Sequence, residues 1–169
     1  MQTLTYEQIT EKLKNKFGED ILTVEEPYKM LTITVNKNKI TDIVKYLKED
    51  AELGFIFLTD LTGIHLTDQP EGEKLGVIYH MHNLIQNVRI RLKAFFPKES
   101  PSIDSLTPLF SSANWMERET YDFFGILFTN HPNLKRILNV DDMDYFPMRK
   151  EYALEDPTRD DKADKMFGR

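Results

Sequence analysis

Apolar residues along the chain recur at two different periods, and the alternation between them outlines the fold. Ile9, Leu13 and Phe17 fall at i, i+4 and i+8 until Gly18 ends the run, which predicts a first helix. Thr5 and Gln8 stand at capping-box spacing at its start. Residues 21–25 and 31–35 then read as strands. In the second, Leu31, Ile33 and Val35 alternate with Thr32 and Thr34. Pro27 lies in the connection between them, where it removes no ladder donor. Residues 38–50 form a second amphipathic pattern, with Ile40, Ile43, Val44 and Leu47 on one face. Three strand patterns follow at 55–66, 74–81 and 84–96, the first two joined by the polar turn 67–72.

In the last of these strands Val88, Ile90 and Leu92 alternate with Arg89, Arg91 and Lys93, so one face is apolar and the other cationic. A solvated outer face of an antiparallel sheet is the ordinary reading of that pattern, and a binding stripe is the alternative. Residues 100–107 read as a loop. Thr107 and Pro108 resemble an N-cap and first helical residue opening a helix to about residue 124, which Gly125 ends. The order α-β-β-α-β-β-β-α predicts a single α+β domain, a mostly antiparallel mixed sheet with helices packed on one face.

Beyond residue 141 the periodicity disappears. Residues 141–169 carry nine acids and six bases, net −3, which is half of the charge of the whole chain. Pro147 and Pro157 interrupt any regular element, yet aromatics such as Tyr145, Phe146 and Tyr152 are frequent. The organisation expected is a domain over 1–140 and an extended C-terminal arm over 141–169 that orders on a partner.

Composition narrows the function. With 22 Lys and Arg against 28 Asp and Glu the net charge is −6, which argues against nucleic acid as the main ligand. No cysteine is present, which excludes disulfides, thiol nucleophiles and Cys-held zinc or iron–sulfur clusters. The longest apolar run, residues 123–128, is far short of the ~20 residues a membrane span needs. The opening residues 1–7 lack the basic and apolar regions of a secretory signal.

Phosphate-loop, dinucleotide-fold, nucleophile-elbow and zincin motifs are all missing, and the seven glycines do not cluster. His80 and His82, two apart on a strand, point to one side, but a metal needs further ligands and hydrogen-bonded histidines are the plainer reading. The densest ionic cluster is Glu117, Arg118, Glu119 and Asp122. Arg118 and Asp122 stand at i, i+4 and could pair along a helix surface. Glu117 and Glu119 lie about 200° apart around the axis, so they do not form an acid–base pair on one face. Followed by Tyr121, Phe123 and Phe124, the cluster reads either as an interface rim beside an apolar centre or as a solvated helix end.

The run from Glu117 to Ile126 (ERETYDFFGI), then Phe128 and the stretch His131 to Leu138 (HPNLKRIL), closely resembles the signature of the 30 kDa, or C, subunit family of proton-translocating NADH:quinone oxidoreductase, respiratory complex I. Residues 111–115, 147–152, 58–62 and 77–80 are similar to that family as well, so the resemblance covers roughly residues 5 to 152. The chain departs from the family pattern at Asn130, at Asn133 and at Lys135-Arg136, where the family carries Gly, Asp and paired arginines. It departs also at 143–146, ahead of the matching Pro147 to Lys150.

The resemblance implies a non-catalytic subunit of the peripheral arm, on the cytoplasmic side of the membrane, beside the 49 kDa-like (D) subunit that builds the quinone site and near iron–sulfur subunits. It implies that flavin, clusters and quinone belong to those partners, that this chain binds no cofactor, and that the chain alone shows no turnover. The partner-facing residues it implies are Glu117, Arg118, Glu119, Asp122, Phe124, His131, Arg136 and Arg149. Two alternatives stand beside it. One is the homologous subunit of a membrane-bound [NiFe] hydrogenase or formate hydrogenlyase complex. The other is an autonomous enzyme using Glu119, Asp122 and His131, which lack a recognised nucleophile–base arrangement.

Overall fold

A computed structural model describes residues 4–152. The first helix, α1 (Tyr6–Phe17), opens with the capping box seen in the sequence. Thr5 Oγ1 accepts from the Gln8 amide, and the Gln8 side chain accepts from the Thr5 amide at 3.0 Å. Strands β1 (Ile21–Glu25) and β2 (Leu31–Val35) follow, then α2 (Ile40–Glu49) and the long strands β3 (Phe57–Leu66), β4 (Lys74–Asn83) and β5 (Val88–Pro97). Short β6 (Ser102–Asp104), helix α3 (Ala113–Phe124) and short β7 (Leu127–Thr129) complete the regular structure.

The main sheet has the order β1-β2-β5-β4-β3, antiparallel except for the β2–β5 pair. The β2–β5 pair is parallel because α2, β3 and β4 intervene between its members. In register, Leu61, Tyr79 and Leu92 lie side by side, as do Gly63, Val77 and Ala94. These residues face the helices together with Leu58, Leu75, Met81, Ile90 and Phe96, and all but Gly63 are buried. From the helix side come Ile9 and Leu13 of α1, Ile40, Ile43, Val44 and Leu47 of α2, and Ala113 and Phe124 of α3. The opposite face of the sheet carries Arg89, Arg91, Lys93, His80 and Asp60, and no helix among the described residues packs on it. The expected α+β architecture is thus present, with the helices on one face.

Two expectations about local structure need correction. Residues 107–109 form a single turn, with Leu109 and Phe110 amides donating to the Leu106 carbonyl, and α3 begins only at Ala113. Thr107 cannot act as the helix cap because its amide and hydroxyl are both engaged by the Ser105 side chain. Within the expected loop 100–107, β6 pairs with β7 in parallel, a three-residue match too short to leave a period in the sequence.

Candidate functional site

Helix α3 buries two stripes. Residues Ala113, Glu117, Thr120 and Phe124, at i, i+4, i+7 and i+11, face the sheet, while Arg118 and Asp122 face a segment that follows β7. The close approach of α3 to β3 depends on Gly63, where an added Cβ would overlap the Phe124 ring.

Glu117 is fully buried. Its Oε2 accepts from Ser105 Oγ at 2.6 Å and its Oε1 from the Leu106 amide at 2.6 Å, which fastens the 105–107 turn to the helix. Burial outweighs these hydrogen bonds and pushes its carboxyl up to about 7. Nearby lies the phenol of Tyr79, fully buried at the centre of β4 and without a hydrogen-bond partner among the described residues. Burial, followed by the charges of Glu117 and Asp104, raises its pKa well above the usual tyrosine range. The His131 side chain is buried 4.0 Å from Glu117. His131 Nδ1 accepts from the Asn133 amide at 3.0 Å, so Nε2–H donates to the Asn114 carbonyl at 3.1 Å.

Asp122, also fully buried, is the densest node. Its carboxylate accepts from Arg136 Nη1 at 2.7 Å, from the amides of Ile137, Leu138 and Asn139 at 2.8–3.1 Å, and from Asn139 Nδ2 at 3.0 Å. Burial acts to raise its pKa, but the amides of Asn139 and Leu138 together with Arg136 overcome it and hold the carboxyl far below the ordinary range. Arg136 spans onward with Nη2 donating to the carbonyls of Met143 at 2.7 Å and Tyr145 at 2.9 Å. Arg118 donates to the carbonyls of Lys135 at 3.2 Å and Arg136 at 3.1 Å and lies over the Trp115 ring. The expected Arg118–Asp122 pair along the helix is therefore not formed, because each group turns instead to the segment crossing above it.

That segment, residues 130–152, is a strap tied to the end of α3. Phe146 is held between the guanidinium groups of Arg136 and Arg149 and meets Tyr121 edge-on. It also closes over Gly125, whose φ of 70° ends the helix and whose missing Cβ leaves room for the ring. Arg149 Nε donates to the Phe124 carbonyl at 2.7 Å, and the Met148 amide to the Phe123 carbonyl at 3.1 Å. Further on, the Lys150 amide donates to His65 Nδ1 at 3.0 Å, and Lys98 bridges Glu73 and Glu151. Residues 141–152 thus pack on their own domain in this structure. The remainder of the expected arm, 153–169, lies outside the described residues.

Of the eight residues expected to face a partner, Glu117, Arg118, Asp122, Phe124, His131, Arg136 and Arg149 are engaged within the chain, and Glu119 is exposed on the far side of α3. A buried charge is tolerable when it is paired and hydrogen-bonded: Glu117 is held by Ser105 and Leu106, 12 and 11 residues before it, while Arg118 and Asp122 meet backbone groups 15–18 residues after them. Ser105, Asn139 and Phe146 complete the arrangement, and nothing in their sequence spacing assigns them to it. Lys135 is exposed and contributes only its carbonyl, so the departure from a paired Arg-Arg touches the position whose side chain is not used.

His65, Glu73 and Glu151 bring potential metal-ligand atoms within 4.8 Å of one another. Lys98 already supplies the positive charge there, and His65 Nδ1 is occupied by the Lys150 amide, so the group acts as a latch for the strap. His80 and His82 each hold a protein partner, Arg91 at 3.0 Å and Asn87 at 3.1 Å.

A model of the family described as respiratory-chain NADH dehydrogenase, 30 Kd subunit, matches residues 33–158. The chain is 41% identical over 149 residues to the NADH-quinone oxidoreductase subunit designated C in Geobacter sulfurreducens, covering 88% of this chain and 90% of that protein. It is 43% identical over the same length to the counterpart of that subunit in Citrifermentans bemidjiense, with the same coverage. Among solved structures, the trypsin-resistant fragment of Nqo5 superposes with a TM-score of 0.64 at 29% identity, over 76% of this chain and 98% of the fragment. A chain of the membrane-bound sulfane sulfur reductase, an archaeal respiratory membrane complex, superposes at 0.71 with 21% identity, over 88% of this chain and 85% of that one, a likeness of fold.

Proposed function

Because the chain belongs to the 30 kDa subunit family of respiratory-chain NADH dehydrogenase, we propose that it is a non-catalytic scaffold in the peripheral arm of an NADH:quinone oxidoreductase. In that role it holds the quinone-site subunit in position on the cytoplasmic side of the membrane, while flavin, clusters and quinone are carried by partner subunits. No helix among the described residues is long and apolar enough to cross a membrane.

The observation that carries the reading is how the family's signature residues are used. Glu117, Asp122 and His131 spend their hydrogen-bonding capacity on the 105–107 turn, the Asn114 carbonyl and the 130–152 strap, and of the three groups in the autonomous-enzyme alternative only Glu119 is exposed. Such groups are oriented for building a surface rather than for proton transfer to a ligand. The strap then displays Leu138, Val140, Tyr145, Met148 and Tyr152 outward, an apolar row of the kind that covers itself on association.

Affinity isolation of the tagged chain from membranes tests this, with native-gel quantification of the assembly and activity per assembled complex. Loss of assembly and activity in proportion is expected for Arg118→Ala. Full assembly with activity abolished per complex would overturn the scaffold and put these residues in the chemistry. The hydrogenase-type alternative has the weaker support, since the relatives matched over nearly their full length carry the NADH-quinone oxidoreductase name.

A further inference from the structure

The open face of the sheet holds a set of cations that the strap and helices do not use. Along β5, Arg89, Arg91 and Lys93 stand two residues apart on the uncovered side, a spacing of ~6.8 Å. None of the three has a carboxylate within 4.0 Å among the described residues, although the chain as a whole is acidic. Arg91 is also fixed in orientation. Its Nε donates to His80 Nε2 at 3.0 Å, and His80 Nδ1 faces Asp60 at 3.6 Å. Burial and the adjacent Arg91 lower the His80 pKa, so the ring stays neutral and keeps its Nε2 lone pair for Arg91. The two terminal nitrogens of Arg91 make no hydrogen bond among the described residues, which leaves its fork available to a carboxylate.

The surroundings restrict what can sit there. Across the row, Arg91 is flanked by Thr32 and Glu25 on one side and by His80 and Asp60 on the other. The cations thus form a narrow stripe on the central strand, bracketed by acids on the two edge strands. A membrane plane or a nucleic-acid backbone laid over the sheet would bring phosphates against Glu25 and Asp60. An extended peptide running along β5 avoids both and presents alternate side chains at the same ~6.8 Å repeat. Phe57, exposed beside His82, and the half-buried Ile78 and Phe95 supply apolar contacts at the two ends of the stripe. Arginine with aromatic neighbours is the combination that dominates binding energy at protein interfaces.

We propose that this sheet face docks an extended acidic segment of a neighbouring subunit, whose alternate carboxylates meet Arg89, the Arg91 fork and Lys93. The inference rests on the scaffold reading above and adds a second contact surface, on the side of the domain away from the strap.

Carbodiimide treatment of the assembled complex, isolated from membranes through the full-length tagged chain, provides the test, because the reagent joins an ammonium to a carboxylate in direct contact. Lys93 is expected to cross-link to an Asp or Glu of another subunit. The Arg91→Glu/Lys93→Glu double variant is expected to reduce recovery in the complex about tenfold or more at physiological salt. An unlinked Lys93, a cross-link only to Asp60 or Glu25 of its own chain, or normal assembly of the double variant would each overturn the proposal. So would binding of the purified chain to anionic phospholipid vesicles that the double variant loses while it still assembles. Failure of the native chain to join any complex would instead remove the scaffold reading on which the proposal rests.

Discussion

Replacing Glu117 by Gln should stabilise the domain at pH 8 and leave it unchanged at pH 4.5. The carboxyl is fully buried and its pKa stands at about 7 against an ordinary 4.5. Between those values the folded chain holds a proton that the unfolded chain has released. Stability therefore falls as pH rises through this window and levels off above pH 7. A difference of about 2.5 units corresponds to roughly 3 kcal/mol. Gln keeps the shape: its oxygen accepts from the Leu106 amide as Oε1 does, and its nitrogen donates to Ser105 Oγ, whose hydroxyl turns to accept. With nothing to ionise, the variant avoids the penalty. Urea unfolding followed by far-ultraviolet circular dichroism at pH 4.5, 6, 7 and 8 reads the difference, since other titrating groups cancel between the two proteins. The gap should open to roughly 3 kcal/mol by pH 8, or about 6–12 °C in melting temperature for a domain of this size. A gap that stays constant with pH, or a variant that is weaker at pH 8, would refute the argument that burial governs this group.

Asp122→Ala should cost roughly 3–5 kcal/mol at pH 7, because it strands the Arg136 charge and three backbone amides. Its folded pKa is depressed, so the contribution is present above 3.8 and is lost as pH falls below that value; the gap to the native protein in urea unfolding should narrow there. Gly63→Ala should lower stability by about 1–3 kcal/mol in thermal melts, through overlap with Phe124. Arg136→Lys should weaken hydrogen-exchange protection of the Leu138 and Asn139 amides and loosen the strap, leaving carbonyls unsatisfied at about 1–3 kcal/mol in all. Lys135→Ala should stay within about 0.5 kcal/mol of the native protein in the same measurements.

What the sequence discloses and what it hides divide along the range of the interactions. The capping box at Thr5 and Gln8, the helical stripe of α2 and the alternation in β5 are local patterns, and each appears in the structure where the pattern places it. The turn at 107–109 departs from the expected helix start because Ser105, tied to Glu117 twelve residues ahead, engages Thr107 first. The same holds for the ionic cluster of α3. Periodicity assigns charges to the outside by default, and the groups that satisfy Arg118 and Asp122 are main-chain atoms of a strap with no period of its own. Even the family signature, which identifies the chain, does not say which way its residues point.

The strap is gripped largely through its main chain. Arg118 holds the carbonyls of Lys135 and Arg136, Arg136 those of Met143 and Tyr145, and Asp122 the amides of three consecutive residues. Each of these bonds is indifferent to the side chain carried by the residue it grips. Mutational drift in the outward row from Leu138 to Met148 therefore leaves the fastening untouched. Stability and partner preference become separate heritable properties of the same short stretch, one written in the arginines and Asp122, the other in whatever the strap displays.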